Sequence, residues 1–199
     1  MNSEKFKTLI KSIEVVEVEL GCGPYKKKGV IGIDSLTAEG VDIVANIEEG
    51  LAFIPDNSVD VLTSKHFLEH IQNLEFLISE IHRVLKPGGK HIAIVPHFSN
   101  AYYYSDITHK KFFGLYTFDY YATEESKLKR KVPSFYQTKK FRIVKRKLVF
   151  KSPFLIRNYF KRVIQMLVNM GDYTREYYEE CMTGIISCSE IYFEMRVEK

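Results

Sequence analysis

The stretch "VEVELGCGPYKKKGVIGID", residues 16–34, limits what this chain can fold into more than any other. Its two ends, VEVEL and VIGID, are short runs rich in β-branched residues and read as strands. Gly21 and Gly23 then stand at the end of the first strand, where they permit a turn that side chains would block and let a ligand approach the backbone. The ends of parallel strands are where an α/β sheet places its ligands. The residues between the two runs are too few for a full crossover helix, so "PYKKK" is predicted as a loop or a single turn. A dinucleotide fingerprint requires a third glycine and an acid about 20 residues on. Here Lys26 fills the third glycine position and Asp34 comes too early, which counts against an NAD-linked oxidoreductase. A ligand with a ribose and no pyrophosphate suits the site better. Asp34 can accept two charge-assisted hydrogen bonds from ribose hydroxyls, and Glu19 can face a cationic group of the same ligand.

Strand-like runs recur at residues 41–46, 59–64 and 91–96, separated in the first half by helical patterns. That alternation is the rhythm of βαβ units and a parallel sheet. Leu68, Ile71, Leu74, Leu77, Ile78, Ile81, Val84 and Leu85 share one helical face, and Pro87, Gly88 and Gly89 are expected to end that helix. After Pro96 comes an aromatic, polar loop, then a basic strand at residues 141–150, an apolar helix over about 154–170, a tyrosine-rich helix and a closing strand. The expected fold is therefore a Rossmann-like, seven-stranded, mostly parallel sheet ending in an antiparallel hairpin. At 199 residues and 45% hydrophobic content the chain has one well-buried core. A single domain, 1–199, is expected, with a cofactor-binding core at 13–97 and lid or substrate-side insertions at 98–140 and 152–185.

"VEVELGCG", "GIDS", "IPDNSVDVLTSKHFLEHI" and "RVLKPGGKHIAIVPH" occur in the order of the successive motifs of class I S-adenosylmethionine-dependent methyltransferases, and the chain resembles that family over residues 15–97. The resemblance implies S-adenosylmethionine as cofactor. It sets Glu19, Leu20, Gly21, Cys22 and Gly23 at the methionine moiety, Asp34 with Ser35 at the ribose, and Asn46 with Ile47 at the adenine. Asparagine at position 46 departs from the acid often found there. Ser64, Lys65 and His66 border the methyl-donor pocket. Among such enzymes, the small ones with a shortened first crossover and a "PH...DxTHxxFF" segment are similar to this chain, and they are associated with sugar and cell-surface polymer biosynthesis. That implies a small-molecule or polymer-linked acceptor, a glycan hydroxyl for instance.

An acceptor hydroxyl gains from a general base, typically about 100-fold to 10,000-fold. His97, Asp106 and His109, in the loop after the fifth strand, are the catalytic candidates: one histidine as base or substrate anchor, oriented by Asp106. A metal site of two histidines and a carboxylate is conceivable from these residue types, but none is expected. His70 reads as a structural histidine, and His82 and His91 as surface or core-edge residues. Three cysteines without CxxC spacing argue against disulfides and zinc and fit a reducing cytoplasm. No apolar run is long enough to span a bilayer. Residues 126–151 carry eleven lysines and arginines and no acid, a run that can attract phosphates and keeps a non-catalytic, RNA-directed protein as an alternative. The apolar helix at 154–170 is expected to be buried or to form a homodimer, with contact to a membrane surface the lesser alternative.

Overall fold

The computed structural model describes residues 2–123, 128–133 and 140–199. Among the described residues, seven strands make one sheet in the order β3-β2-β1-β4-β5-β7-β6. They are β1 (Glu17–Leu20), β2 (Ile31–Asp34), β3 (Ile43–Val44), β4 (Val59–Lys65), β5 (Leu85–Pro96), β6 (Phe141–Val149) and β7 (Glu190–Val197). Strands β1 to β5 run parallel. β7 lies antiparallel to both β5 and β6. The expected sheet is the observed one, with β6 as its outer edge. Strand order reverses between β1 and β4, which opens a crevice at their C-terminal ends, the place where doubly wound sheets hold ligands.

Among the described residues, four α-helices accompany the sheet: α1 (Asn2–Ile10), α2 (Leu74–Val84), α3 (Leu155–Val168) and α4 (Asp172–Cys181). Val18, Leu20, Ile33 and Leu62 from the strands, with Leu77, Ile78 and Ile81 from α2, form the centre of the core. The connection from β1 to β2 holds no helix, only turns. Gly21 and Gly23 take φ of 64° and 53° there, a left-handed backbone that glycine adopts without strain. Lys26, at the absent third glycine, pairs with Asp42, and Asp42 in turn accepts the Gly32 N–H at 2.8 Å. The lysine thus ties the loop to β2 and β3. With no helix after β1, a pyrophosphate would lack the helix N-terminus that holds it in dinucleotide sites.

Several expectations need correction. The helix read across Leu68 to Leu85 is broken: a 3-10 turn covers Leu68–His70, and α2 starts only at Leu74, after Asn73 caps it by accepting the Phe76 N–H at 3.1 Å. Asparagine is a strong N-cap, and Ile71, extended at φ −78° and ψ 127°, separates the two pieces. Nor does the Pro-Gly-Gly run end α2. The helix stops at Val84 and passes straight into β5, and Lys199 Nζ donates to the Arg83 and Leu85 carbonyls at 3.0 and 2.6 Å. Pro87 disfavours helical geometry at the residue before it, so the break comes early. The strand expected over 41–46 shortens to Ile43–Val44. His82 and His91 are buried rather than peripheral. His91 Nε2 meets Ser64 Oγ at 3.0 Å, and the His82 ring stands edge-on to Phe141.

The largest correction concerns α3. Expected to be buried or to form a homodimer, it is not buried within the chain but turns most of its apolar side chains outward, with Leu155 and Ile156 at 88% and 77% exposure. Its inward stripe mixes Ile164 and Val168, which pack on the core, with polar side chains. Lys161 Nζ donates to the carbonyls of Lys151 and Ser187 at 3.1 and 2.7 Å. Gln165 Oε1 accepts the Phe150 N–H at 2.9 Å, and Asn169, capping the helix, brackets Leu148 by accepting its N–H and donating to its carbonyl. These side chains satisfy the open backbone groups of the edge strand β6 and the residues just after it, one of the ways natural sheets cover an edge. Among the described residues, no helix is long and apolar enough to cross a membrane.

Candidate active site

At the C-terminal ends of β1, β2 and β4 lies a cleft of about 320 Å³ lined by Gly21, Asp34, Ser35, Asn46, Ile47, Glu48, His66, Phe67, His70 and Ile71. Asp34 is at its centre because it ends β2. Its Oδ2 accepts the Gly23 N–H at 2.9 Å and its Oδ1 the Leu36 N–H at 3.1 Å. Each carboxylate oxygen keeps lone-pair capacity beyond one bond, so the acid is oriented by the glycine loop and still able to accept from a ligand. Asn46 is likewise fixed, accepting the Glu48 N–H at 3.2 Å and donating to Glu49 Oε1 at 2.8 Å. Ile47 and Ile71 are buried and give the cleft an apolar wall. Gly21 faces Phe67 closely: a Cβ at position 21 would lie 2.4 Å from Phe67 Cδ2, so no other residue fits there.

His66, just after β4, is in a left-handed conformation, φ 49°, rare for a non-glycine residue. Its Nε2 meets Glu190 Oε1 at 3.2 Å and its Nδ1 lies 3.5 Å from Glu69 Oε1. The hydrogen bond to Glu190, helped by Glu69, outweighs burial and raises the imidazole to about 9. Glu190 is pressed down to about 2 by the same bond, with Lys151 adding to it. An imidazolium therefore borders the cleft at neutral pH.

Of the residues expected at the cofactor, Gly21, Asp34, Ser35, Asn46, Ile47 and His66 line the cleft, while Glu19, Leu20, Cys22, Gly23 and Ser64 are not among its lining residues. Leu20 and Ser64 are buried in the core. Cys22 packs toward Gly32, and burial raises its thiol to about 11, leaving it a protonated packing residue. Gly23 acts through its N–H on Asp34. Glu19 Oε2 faces the Lys27 N–H at 3.4 Å. Glu48, Phe67 and Ile71 line the cleft without having been anticipated there; His70, which the resemblance to the methyltransferases sets near the cofactor cleft, lines it too. Three of them belong to "SKHFLEHI", and reading that segment as continuous helix concealed its turn into the cleft.

The three catalytic candidates separate. His97 is completely buried. Its Nδ1 accepts the Ser99 N–H at 3.0 Å and its Nε2 lies 3.1 Å from Glu179 Oε2 on α4. With both ring nitrogens engaged inside the fold, His97 anchors the loop and is not placed to take a proton from an acceptor. Asp106 and His109 stay together at the surface, 3.5 Å apart from Oδ2 to Nε2. Thr108 links them to the cleft: its hydroxyl donates to Asp106 Oδ1 at 2.5 Å and meets His70 Nδ1 at 2.9 Å. Those bonds from Thr108 hold the Asp106 carboxyl below the usual carboxylate range. His70, expected to be structural, is the member of this group that lines the cleft.

The basic run is largely engaged within the fold. Lys129, Arg130 and Lys145 lie over the rings of Tyr173, Tyr116 and Tyr192, and Arg142, Arg146 and Lys151 pair with Glu198, Asp119 and Glu190. Lys127 and Lys139, also counted in that run, fall outside the described residues.

The model of a family described as a methyltransferase domain matches residues 26–93. A curated relative, the ubiquinone/menaquinone biosynthesis C-methyltransferase UbiE of Hydrogenovibrio crunogenus, is 41% identical over 64 residues, 30% of this chain and 25% of that protein. The chain thus matches about a quarter of that relative's length. Solved structures similar to the whole chain include the YcgJ protein of Bacillus subtilis, with a TM-score of 0.52, 17% identity and 98% of each chain covered. A SAM-dependent methyltransferase from Archaeoglobus fulgidus has a TM-score of 0.51 and 16% identity, covering 98% of this chain and 92% of that one. A putative methyltransferase from Bacillus halodurans also has a TM-score of 0.51 and 16% identity, covering 100% and 99%. At such identities the structures speak for the fold, and the sequence match speaks for the cofactor half. The matched segment, the strand order and the similar structures make the chain similar in fold to class I S-adenosylmethionine-dependent methyltransferases, with residues 26–93 matching a methyltransferase domain.

Proposed function

We propose that the protein transfers the methyl group of S-adenosylmethionine to an oxygen of a small or polymer-linked acceptor, with a sugar hydroxyl as the leading case. The observation that carries this is the juxtaposition of Asp34 and Gly21 in the cleft with the His70, Thr108, Asp106 and His109 chain at its rim. The cofactor supplies an electrophilic methyl on a sulfonium. Asp34 holds the ribose hydroxyls, Ile47 and Ile71 pack the adenine, and Gly21 gives the backbone approach. Holding two reactants in line accounts for up to ~7 to 11 kcal/mol of a barrier, so orientation is the main task of these residues. On the acceptor side, the polar rim orients the hydroxyl, and the exposed Asp106 carboxylate receives its proton. The rim is polar and its groups are proton acceptors, which favours oxygen over an unactivated carbon. The UbiE relative is named a C-methyltransferase, but only 25% of its length is matched, so its acceptor does not carry over to this chain.

Calorimetric titration with S-adenosylhomocysteine tests the cofactor half of this reading. Saturable binding is expected, weakened by at least about 100-fold in Asp34→Ala through loss of the two charge-assisted hydrogen bonds, each about 1.5 kcal/mol or somewhat more. Absence of saturable heat in the natural protein would contradict it. Mass spectrometry of a cell extract incubated with protein and cofactor then identifies the acceptor as the molecule that gains one methyl.

A further inference from the structure

Three side chains of metal-ligand type meet at the rim of the cleft from two separate loops: Glu69 and His70 after β4, and His109 after β5. One ligand atom from each lies within 4.8 Å of the others, and the two imidazole rings stand 4.9 Å apart between centroids. Hydrogen bonds fix which nitrogens are bare. His109 Nδ1 lies 2.9 Å from the Tyr103 carbonyl, which can only accept, so Nδ1 carries the proton. The Thr108 hydroxyl gives its proton to Asp106, so it accepts from His70 Nδ1. Both Nε2 atoms are left with a lone pair. Metal-binding histidines show the same arrangement, with the far nitrogen donating to a carbonyl or another oxygen and the near one turned to the ion.

Glu69 supplies an independent sign. The residue is 1% exposed, and its Oε2 has no hydrogen-bond partner, while Oε1 faces His66 at 3.5 Å. A buried carboxylate oxygen without a donor is costly, and a cation is the partner it lacks.

We propose that Glu69, His70 and His109 bind a first-row divalent cation on the lid side of the cleft. Two imidazoles and one carboxylate suit zinc, iron(II), cobalt or manganese and leave coordination positions open. Ligands at bond lengths of ~2.1 Å stand roughly 3.0 to 3.4 Å apart, so the three side chains close by roughly 1.5 Å on binding. The Asp106 carboxylate, beside His109 Nε2, is close enough to join them. An ion here would hold the acceptor oxygen facing the cofactor cleft. That consequence rests on the methyl-transfer reading; the binding of the ion does not.

Titrating the full chain with Co²⁺ in the absence of cofactor, followed by visible absorption, tests the site. One ion per chain is expected to saturate it. His109→Gln and Glu69→Gln should each weaken binding by at least about 100-fold, and Thr108→Val, which frees the His70 tautomer, by about 10- to 100-fold. Circular dichroism checks that Glu69→Gln folds; His109→Gln, at a partly exposed position, carries the test if it does not. No saturable change with the natural protein, or unchanged affinity in His109→Gln, would overturn the proposal. His109→Gln should still bind S-adenosylhomocysteine normally, since His109 is not among the cleft's lining residues. Cobalt binding without any S-adenosylhomocysteine binding would support the ion site and count against the methyl-transfer reading alone.

Discussion

At the cofactor end of the sheet, β1, β2 and β4 bury Val18, Leu20, Ile33 and Leu62, and the apolar face of α2 packs down as Leu77, Ile78 and Ile81. At the opposite end, α3 sends Leu155, Ile156, Tyr159 and Met166 outward and docks through Lys161 and Gln165, with Asn169 at its C-terminal cap. The first end is held by apolar burial, worth roughly 25 cal/mol per Å². The second also buries Leu148, Phe150, Ile191 and Phe193, and adds to that burial side chains that satisfy backbone groups and charge pairs such as Arg146 with Asp119, 2.8 Å apart and almost fully enclosed. Central parallel strands have neighbours on both sides, so only their side chains need partners. An outer antiparallel strand has an open edge, and the helix beside it is selected for donors and acceptors.

The sharpest way to break this contrast is to remove a charge from the outer end. Arg146→Met leaves Asp119 buried and unpaired, and should lower unfolding free energy by about 3 to 5 kcal/mol in urea denaturation. A change well below 1 kcal/mol would show that the pair does not hold that end. Asn169→Ala uncovers the Leu148 N–H and carbonyl, and a loss of about 1 to 3 kcal/mol is expected by the same measurement. Ile156→Ser removes an apolar side chain of the same helix that contributes nothing to packing, so stability should stay within about 0.5 kcal/mol. A loss of 2 kcal/mol or more there would mean that α3 is covered in solution.

The same physics decides what could be read from the residues alone. The cofactor end was legible because short runs rich in β-branched residues mark its strands and a glycine turn with a following acid is a local pattern; the loop predicted at "PYKKK" and the place of Asp34 follow from spacing. The orientation of α3 was not legible, since hydrophobic content indicates a face but not which side of a helix meets an edge strand, and Lys161 reads as a solvent-facing charge until its carbonyl partners are known. Asn73 is an N-cap in plain sight, yet the apolar period running through it suggested one helix from Leu68, which hid Phe67 and Ile71 at the cleft. His97 and His109 look equivalent as residue types. Only the third dimension shows one enclosed between Ser99 and Glu179 and the other on the rim with a bare nitrogen.

The most direct measurement of the central claim is a crystal structure of the protein with S-adenosylhomocysteine bound. The ligand is predicted to lie over Gly21, with its ribose hydroxyls on Asp34 and its adenine against Ile47 and Ile71. Ligand density at another place on the molecule, or a cleft that stays closed by Phe67 at saturating ligand, would contradict it.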